Sequence, residues 1–447
     1  MSHSLANPKF RVAICGAGIG GLALAVTIGK FAGHDIHIDL YEAHDAITTV
    51  GAGIVVSSRT SEVMKELDMY EEISRVSTKP PSSTHGPKFR RSNIPQGGFE
   101  WFQQTRTPTT SNMHRQHLVD ALKQYLPPSC NIHFNKRLTQ YNKQLSGSLI
   151  LHFADDSTST TDVLVGADGV HSSVRKTLFE TLDRDVVDPS NIRHYTDPSW
   201  TGTLVYRTVF PAKKLSDLDP NNVALKDFVI FCGHRKQVVS YPVSQGTLIN
   251  VVASITDEEK AGTPFEGRWV SSVSHEEVQE LYQDFEPTVK NLLKCFENSS
   301  RWALHVVNEL PLSVYNRVAL IGDACHAMTP HFGAGAGQAM EDAFVLGRLL
   351  AHPLTTLDNV PAALKAYQDV RLPFAQFVAR ESARTGRMLS FDMSDTAGRN
   401  VREELEIQKE KLLAQWEWEG KDSPIAEWLE AERKLQGSIG VSKGLST

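Results

Sequence analysis

The 447-residue chain has only five cysteines, Cys15, Cys130, Cys232, Cys295 and Cys325, and they are scattered with no CxxC pair. That spacing excludes a disulfide framework and a structural zinc site, and predicts reduced, mostly buried thiols. No run of 18 apolar residues occurs, and the stretch from Met1 to Pro8 lacks the apolar centre of a secretory signal. A basic block is also missing. With 46 Lys and Arg against 52 Asp and Glu, the net charge of −6 disfavours a nucleic-acid partner. No internal repeat and no metal-ligand spacing are present. These absences predict a soluble, cytoplasmic protein, monomer or homodimer, with no metal, no membrane and no nucleic acid.

What is present is organised. The length is about three times that of a common domain. Phe10 to Cys15 is a short apolar run ending at glycines, and Leu22 to Phe31 is apolar on nearly every side, as in a buried helix. Ile36, Ile38 and Leu40 then alternate as in a strand. Strand, glycine turn, helix and strand make a βαβ unit. Ser57 to Leu67 predicts a helix capped by Ser57 or Ser58. Residues 79–112 are turn-rich and polar, an excursion out of the first domain, after which Arg115 to Leu126 resumes helical periodicity. Leu149 to Phe153 and Asp162 to Gly166 look like returning strands. From 185 to 300 longer strands predict a mostly antiparallel sheet closed by two helices near 275–285 and 288–298. Arg317 to Gly322 is again a buried-type strand. The tail is helical and charged, with Trp416, Trp418 and Trp428 as anchors. The expected division is therefore a first domain in three parts (8–78, 113–184 and 301–358), an excursion at 79–112, a second domain at 185–300 and a helical segment at 359–447.

Three features carry chemistry. Gly16, Gly18 and Gly21 form a GxGxxG turn between strand and helix, and Glu42 closes the next strand. The glycines suit a tight turn, close approach of a pyrophosphate and close helix–strand packing, and the acid suits ribose hydroxyls. The helix N-terminus offers free N–H groups to phosphates. This turn leaves NAD and FAD open. The second feature is Gly166-Ala-Asp168-Gly169 with Ser172 and Arg175. The third is Gly322-Asp323 through His326, followed by Pro330, Gly333, Gly335 and Gly337. Each of the last two follows an apolar strand, at the end where α/β sheets bind ligands. A capping Asp in a tight turn is the plain alternative for each.

In this order the three features resemble the fingerprints of the single-component FAD-dependent aromatic hydroxylases, the group of para-hydroxybenzoate and salicylate hydroxylases. The resemblance spans about residues 10 to 375. It is nearest to the salicylate type at Gly51 to Gly53, His114-Arg115, Gly202 to Arg207, Pro242-Val243, Ile249 to Val252, Trp302 to His305 and Pro330 to Gln338. It implies an α/β fold: a Rossmann-type FAD-binding domain with an inserted, mostly antiparallel β-sheet substrate domain and a C-terminal helical segment. It further implies tight, non-covalent FAD, with NAD(P)H as a transient co-substrate, and the hydroxylation of a small aromatic acid by O₂. Salicylate to catechol with loss of CO₂ is the leading reaction. Hydroxylation of another hydroxybenzoate, a dearomatising phenol hydroxylation and a non-catalytic flavin protein are the alternatives. Carried over by position, Gly16, Gly18, Gly21 and Gly53 bind the cofactor, Glu42 holds the adenosine ribose and Arg115 contacts the flavin's ribityl–phosphate region. Asp323 binds a ribityl hydroxyl, Asp168 serves both FAD and NAD(P)H, and Pro330, Gly335, Ala336 and Gly337 border the ring.

Some residues depart from the pattern. Ser57-Ser58-Arg59 replaces a common Pro-Asn, Cys325 replaces Ala, and Tyr241 stands where bacterial salicylate hydroxylases carry Phe. An Arg-plus-Tyr pair is similar to that of the fungal dearomatising enzymes. Arg207, Tyr241 and His331 are expected to line the substrate pocket: Arg207 fixing an anion, and His331 or Tyr241 assisting phenol deprotonation. His331 is favoured because an unperturbed imidazole pKa near 6.5 suits a base at neutral pH. Cys15 and His326 are expected to be structural and not flavin attachment points.

Overall fold

The computed structural model describes residues 8–32, 35–47, 53–77, 85–105, 111–183, 185–297, 299–391, 401–420 and 422–444. Gly51, Ala52 and the turn-rich stretches 79–84 and 106–110 lie outside the described residues.

A six-stranded sheet runs in the order Val314–Tyr315, Val318–Leu320, Val163–Gly166, Phe10–Cys15, Ile36–Tyr41, Cys130–His133. All neighbours are parallel except the first pair. A parallel sheet is covered on both faces, which is why its strands read as near-continuous apolar runs. Helix Ile19–Ala32 is buried along most of its length, and helix Gly335–Ala351 packs against it. They approach closely because position 347 is glycine: a Cβ there would lie 2.7 Å from Thr27. Register then decides where the site is. Cys15 pairs with Gly166, and Gly166 with Leu320. The three glycine-bearing segments therefore leave the sheet side by side at its carboxyl edge.

The second sheet has eight strands: Val270–Val273, Ser299–Val306, Ser199–Pro211, Leu248–Thr256, Lys236–Val243, Val229–Gly233, His85–Arg91 and Phe99–Thr105. It is antiparallel except where Val229–Gly233 runs parallel to His85–Arg91. One face buries Tyr206, Phe231, Val251 and Phe285 under helices His275–Leu281 and Pro287–Leu293. The other carries Phe89, Ile230 and Cys232 against Met388 and Leu389, at the end of helix Val360–Leu389.

One expected boundary is corrected. A boundary at 300 would cut a strand, since Ser299–Val306 pairs with Ser199–Pro211. Leu149–Phe153 is a strand outside the large parallel sheet. It lies in a three-stranded antiparallel sheet between Leu138–Lys143 and Thr158–Thr161, its Leu149, Leu151 and Phe153 buried on one face. The C-terminal helices Val401–Gln415 and Pro424–Gly444 complete the molecule, with Trp416, Trp418 and Trp428 buried. Among the described residues no helix is long and apolar enough to cross a membrane.

Candidate active site

Gly16 adopts a φ of +104°, and a Cβ on it would lie 2.3 Å from the Ala167 carbonyl oxygen. One on Gly21 would lie 2.0 Å from the Gly16 oxygen. These two glycines are required by backbone contact. Gly18 differs, because nothing lies within 4 Å of its Cβ position. It leaves bare backbone facing open space at the start of a 14-residue helix. Glu42 accepts the Ala17 N–H at 3.1 Å and the His44 N–H at 3.0 Å, which anchors the turn and leaves its carboxylate partly accessible.

Asp168 plays a more local part than expected. One oxygen accepts the Ser173 and Val174 N–H groups at 2.8 and 3.1 Å, and the other the Ser172 hydroxyl. Its carboxylate thus caps helix Ser173–Thr181, the plain reading, and shapes the loop rather than reaching outward. Burial pushes its pKa up, against these hydrogen bonds. Arg175, fully buried, donates to the carbonyls of Val170 at 2.7 Å, Thr196 at 3.0 Å and Ala324 at 2.9 Å, which stitches the second motif to the third.

In the third motif Asp323 is exposed, and the Gly335 Cβ position lies 3.9 Å from its Oδ1. A carboxylate with no partner among the described residues therefore stands beside the N-terminus of the 17-residue helix Gly335–Ala351. Pro330 opens a short 3₁₀ turn, Ala336 packs on the core, and Gly333, at φ +64°, passes Val55. A Cβ on Gly337 would lie 2.5 Å from Thr60 Oγ1. Glycine at 337 thus serves packing against helix Ser58–Glu66, which Ser57 caps by accepting the Thr60 N–H at 3.2 Å.

Beneath this segment lies a buried ion network that the sequence did not reveal. Arg371 donates to Asp342 at 3.0 Å, Glu341 at 3.0 Å, Glu427 at 2.5 Å and Gln338 at 2.7 Å. Arg59 reaches Glu341 at 2.8 Å and Glu427 at 2.5 Å. Asp342 also accepts the Gly322 N–H at 3.0 Å and stands 2.5 Å from His326 Nε2. Burial alone would raise the Asp342 carboxyl, yet His326 and Arg371 hold it below its usual range. His326 is thus a structural residue, as expected. Cys15, buried with its thiol pKa raised by burial, has no thiolate to offer.

Arg207 and Tyr241 lie on strands flanking Leu248–Thr256, opposite Val252 and Asn250. They share one face of the sheet, about 12 Å apart by strand spacing and a two-residue offset. Tyr241 packs on Phe228 and reaches the strand Gly53–Val56, where a Cβ on Gly53 would lie 2.4 Å from its hydroxyl. Arg115 follows the strand paired with Gly53–Val56, and its Nε is buried with no partner among the described residues. Burial lowers the Arg207 pKa, Tyr241 raises it and Arg115 lowers it; no carboxylate contributes. Arg115 lies within electrostatic reach of Arg207, and among the described residues no carboxylate is paired with Arg207. Such a pocket attracts an anion.

His331 needs a correction. Burial lowers its pKa to about 4, partly offset by a hydrogen bond to the Ser382 backbone, and its Nδ1 has no side-chain partner among the described residues. The cause is Gly386: a Cβ there would lie 2.3 Å from the ring, so the long helix presses directly on the imidazole. Gln237, on the Arg207 face of the sheet, pins that helix end by donating to Gly386 O at 2.9 Å and Ser390 Oγ at 2.7 Å. His331 shows one edge to a cleft of about 510 Å³ bordered by Trp200, Thr203, Met328, Ala383 and Arg387.

The FAD binding domain family matches residues 9–382. The chain belongs to this family. It is a FAD-dependent aromatic monooxygenase of the para-hydroxybenzoate hydroxylase type. It is 32% identical over 399 residues to a salicylate hydroxylase of Pseudomonas putida, covering 86% of each chain. It is 31% identical to a 6-methylsalicylate 1-monooxygenase of Aspergillus terreus, covering 86% of this chain and 84% of that one. A solved salicylate hydroxylase substrate complex superposes with a TM-score of 0.80 at 29% identity, covering 95% of this chain and 98% of that one. The residues present fit FAD on three observations of this structure: open space at Gly18, the unpartnered Arg115 Nε, and the exposed Asp323 carboxylate beside a helix N-terminus.

Proposed function

We propose that this monooxygenase converts salicylate to catechol, consuming one NAD(P)H and one O₂ and releasing CO₂. The observation that supports this reading most directly is Arg207, which among the described residues has no acid partner, on the sheet face that also carries Tyr241. One oxygen atom enters the ring carbon that bears the carboxylate, the other leaves as water, and the electron pair of the broken C–C bond stays with the ring. FAD, when bound, would supply the redox chemistry that links NAD(P)H to O₂.

The chain's own residues hold and orient. Gly16, Gly18 and Gly21 with the helix N-terminus hold the pyrophosphate, Glu42 a ribose, Arg115 and Gly53 the ribityl–phosphate region, and Asp323 a ribityl hydroxyl, with no covalent link. Helix Gly335–Ala351 would offer its positive N-terminal end to negative charge developing on the flavin. Asp323→Ala is expected to weaken FAD binding by about 1.5–3 kcal/mol, the value of a hydrogen bond to a charged acceptor. Titration of apoprotein with FAD reads this directly, and an unchanged affinity would remove Asp323 from the site.

Arg207 binds the substrate carboxylate through its planar donors. The positive field of Arg207 and Arg115 favours the phenolate. His331, neutral at pH 7, accepts a hydrogen bond from the phenol but is a poor base: a phenol pKa of about 10 against one near 4 makes full proton transfer cost about 8 kcal/mol. The test is a panel of hydroxybenzoates in which NAD(P)H oxidation, O₂ uptake, CO₂ and aromatic product are measured together. Salicylate is expected to yield one catechol and one CO₂ per NAD(P)H. Peroxide without catechol would sink the assignment. In Arg207→Ala, KM for salicylate is expected to rise about tenfold to 150-fold while FAD stays bound.

A further inference from the structure

The family match ends at residue 382, but the flavin-side framework does not. We propose that Glu427, on the C-terminal helix Pro424–Gly444, is a positioning residue for FAD. Its two oxygens accept from two different arginines, Arg59 and Arg371, each at 2.5 Å. Both arginines also hold Glu341, on the helix whose N-terminus flanks Asp323. Through Arg371 the chain of bonds continues to Asp342, and from there to the Gly322 N–H and His326. Gly322 and His326 bracket Asp323. The carboxylate assigned to the ribityl chain therefore takes its place from a link that starts on the C-terminal helix.

The same segment makes two more contacts at the flavin side. Arg59 donates to the Asp422 carbonyl at 2.5 Å. Trp418 packs on Phe332, with ring centroids 5.7 Å apart, and borders a small cavity shared with Thr60 and Gly337. Arg59 itself leads out of Ser57, beside the strand that carries Gly53. Glu427 thus ties together three elements of the site: the strand–helix corner at Ser57, the helix beginning at Gly335 and the loop at Asp323. An apolar residue could fill the same volume, and buried ion pairs give no automatic gain in stability. What the carboxylate adds is orientation, because only one docking of the C-terminal helix satisfies both arginines.

The experiment uses full-chain protein carrying Glu427→Ala, Glu427→Gln or Glu432→Ala. Glu432 lies on the same helix and pairs with His352 at 3.2 Å, outside the network, so it reports on helix docking alone. FAD dissociation constants are measured by adding FAD to each apoprotein, with circular dichroism to check the fold. Glu427→Ala is expected to raise the constant about tenfold or more and Glu427→Gln, which keeps an acceptor but loses the charge, about threefold, with Glu432→Ala unchanged. If Glu427→Ala does not fold, Glu427→Gln alone decides. A Glu427→Gln constant equal to wild type, or an equal loss in Glu432→Ala, would overturn the proposal.

Discussion

Arg371→Leu will lower the free energy of unfolding by about 3–5 kcal/mol, the cost of stranding buried charges by removing one partner. Arg371 is wholly buried and is the shared donor to Asp342, Glu341 and Glu427. Without it the remaining arginine that reaches them, among the described residues, is Arg59, which pairs with Glu341 and Glu427. Leucine matches much of the lost volume, so the effect isolates the charge. Urea unfolding at a fixed, saturating FAD concentration measures it, since bound cofactor otherwise shifts the apparent stability. A loss below about 1 kcal/mol, the value of an exposed pair, would mean that water reaches the network.

The second large effect is a pH dependence set by His331. Its folded pKa, about 4, lies below the value near 6.5 that it takes in the unfolded chain. The unfolded chain therefore binds a proton as pH falls below 6.5, whereas the folded protein declines it until about 4. The associated stability is fully present above pH 6.5 and is lost across this window. At about 1.4 kcal/mol per unit, the loss amounts to about 3 kcal/mol. His331→Gln removes this titration, so its stability should fall less steeply between pH 6.5 and 4, by one proton's worth of slope. Equal slopes in the two proteins would show that the imidazole titrates normally.

What could be read from the sequence was what adjacent residues encode. The glycine turn, the strands that frame it and the cap at Ser57 are local, and the motifs fell into register because each follows an apolar strand. Arg207 and Tyr241 were legible as a pair from family resemblance, and the structure sets them on one sheet face. The rest depended on partners distant in sequence. Arg59 read only as a departure from a common Pro-Asn, since its partners Glu341 and Glu427 lie hundreds of residues away. Arg371 sits in a charged helix whose pattern suggests solvent. His331 looked like an ordinary histidine because nothing near it in the chain announces that Gly386 will close over its ring. The strands at 85–91 and 99–105 were hidden in a polar stretch: they pair with each other, but 85–91 is also held by a parallel neighbour that arrives much later.

That parallel pairing has a consequence for how the chain is made. During synthesis, His85–Arg91 emerges long before Val229–Gly233, and the eight-stranded sheet closes only once Ser299–Val306 is available. The six-stranded sheet waits longer still, for Val318–Leu320. Neither layer is complete on a nascent chain shorter than 306 residues, so early strands spend translation with open edges, the condition under which long-range sheets fold slowly and associate wrongly. Expression at reduced temperature or with added chaperone should therefore raise the yield of folded protein more than it raises total protein.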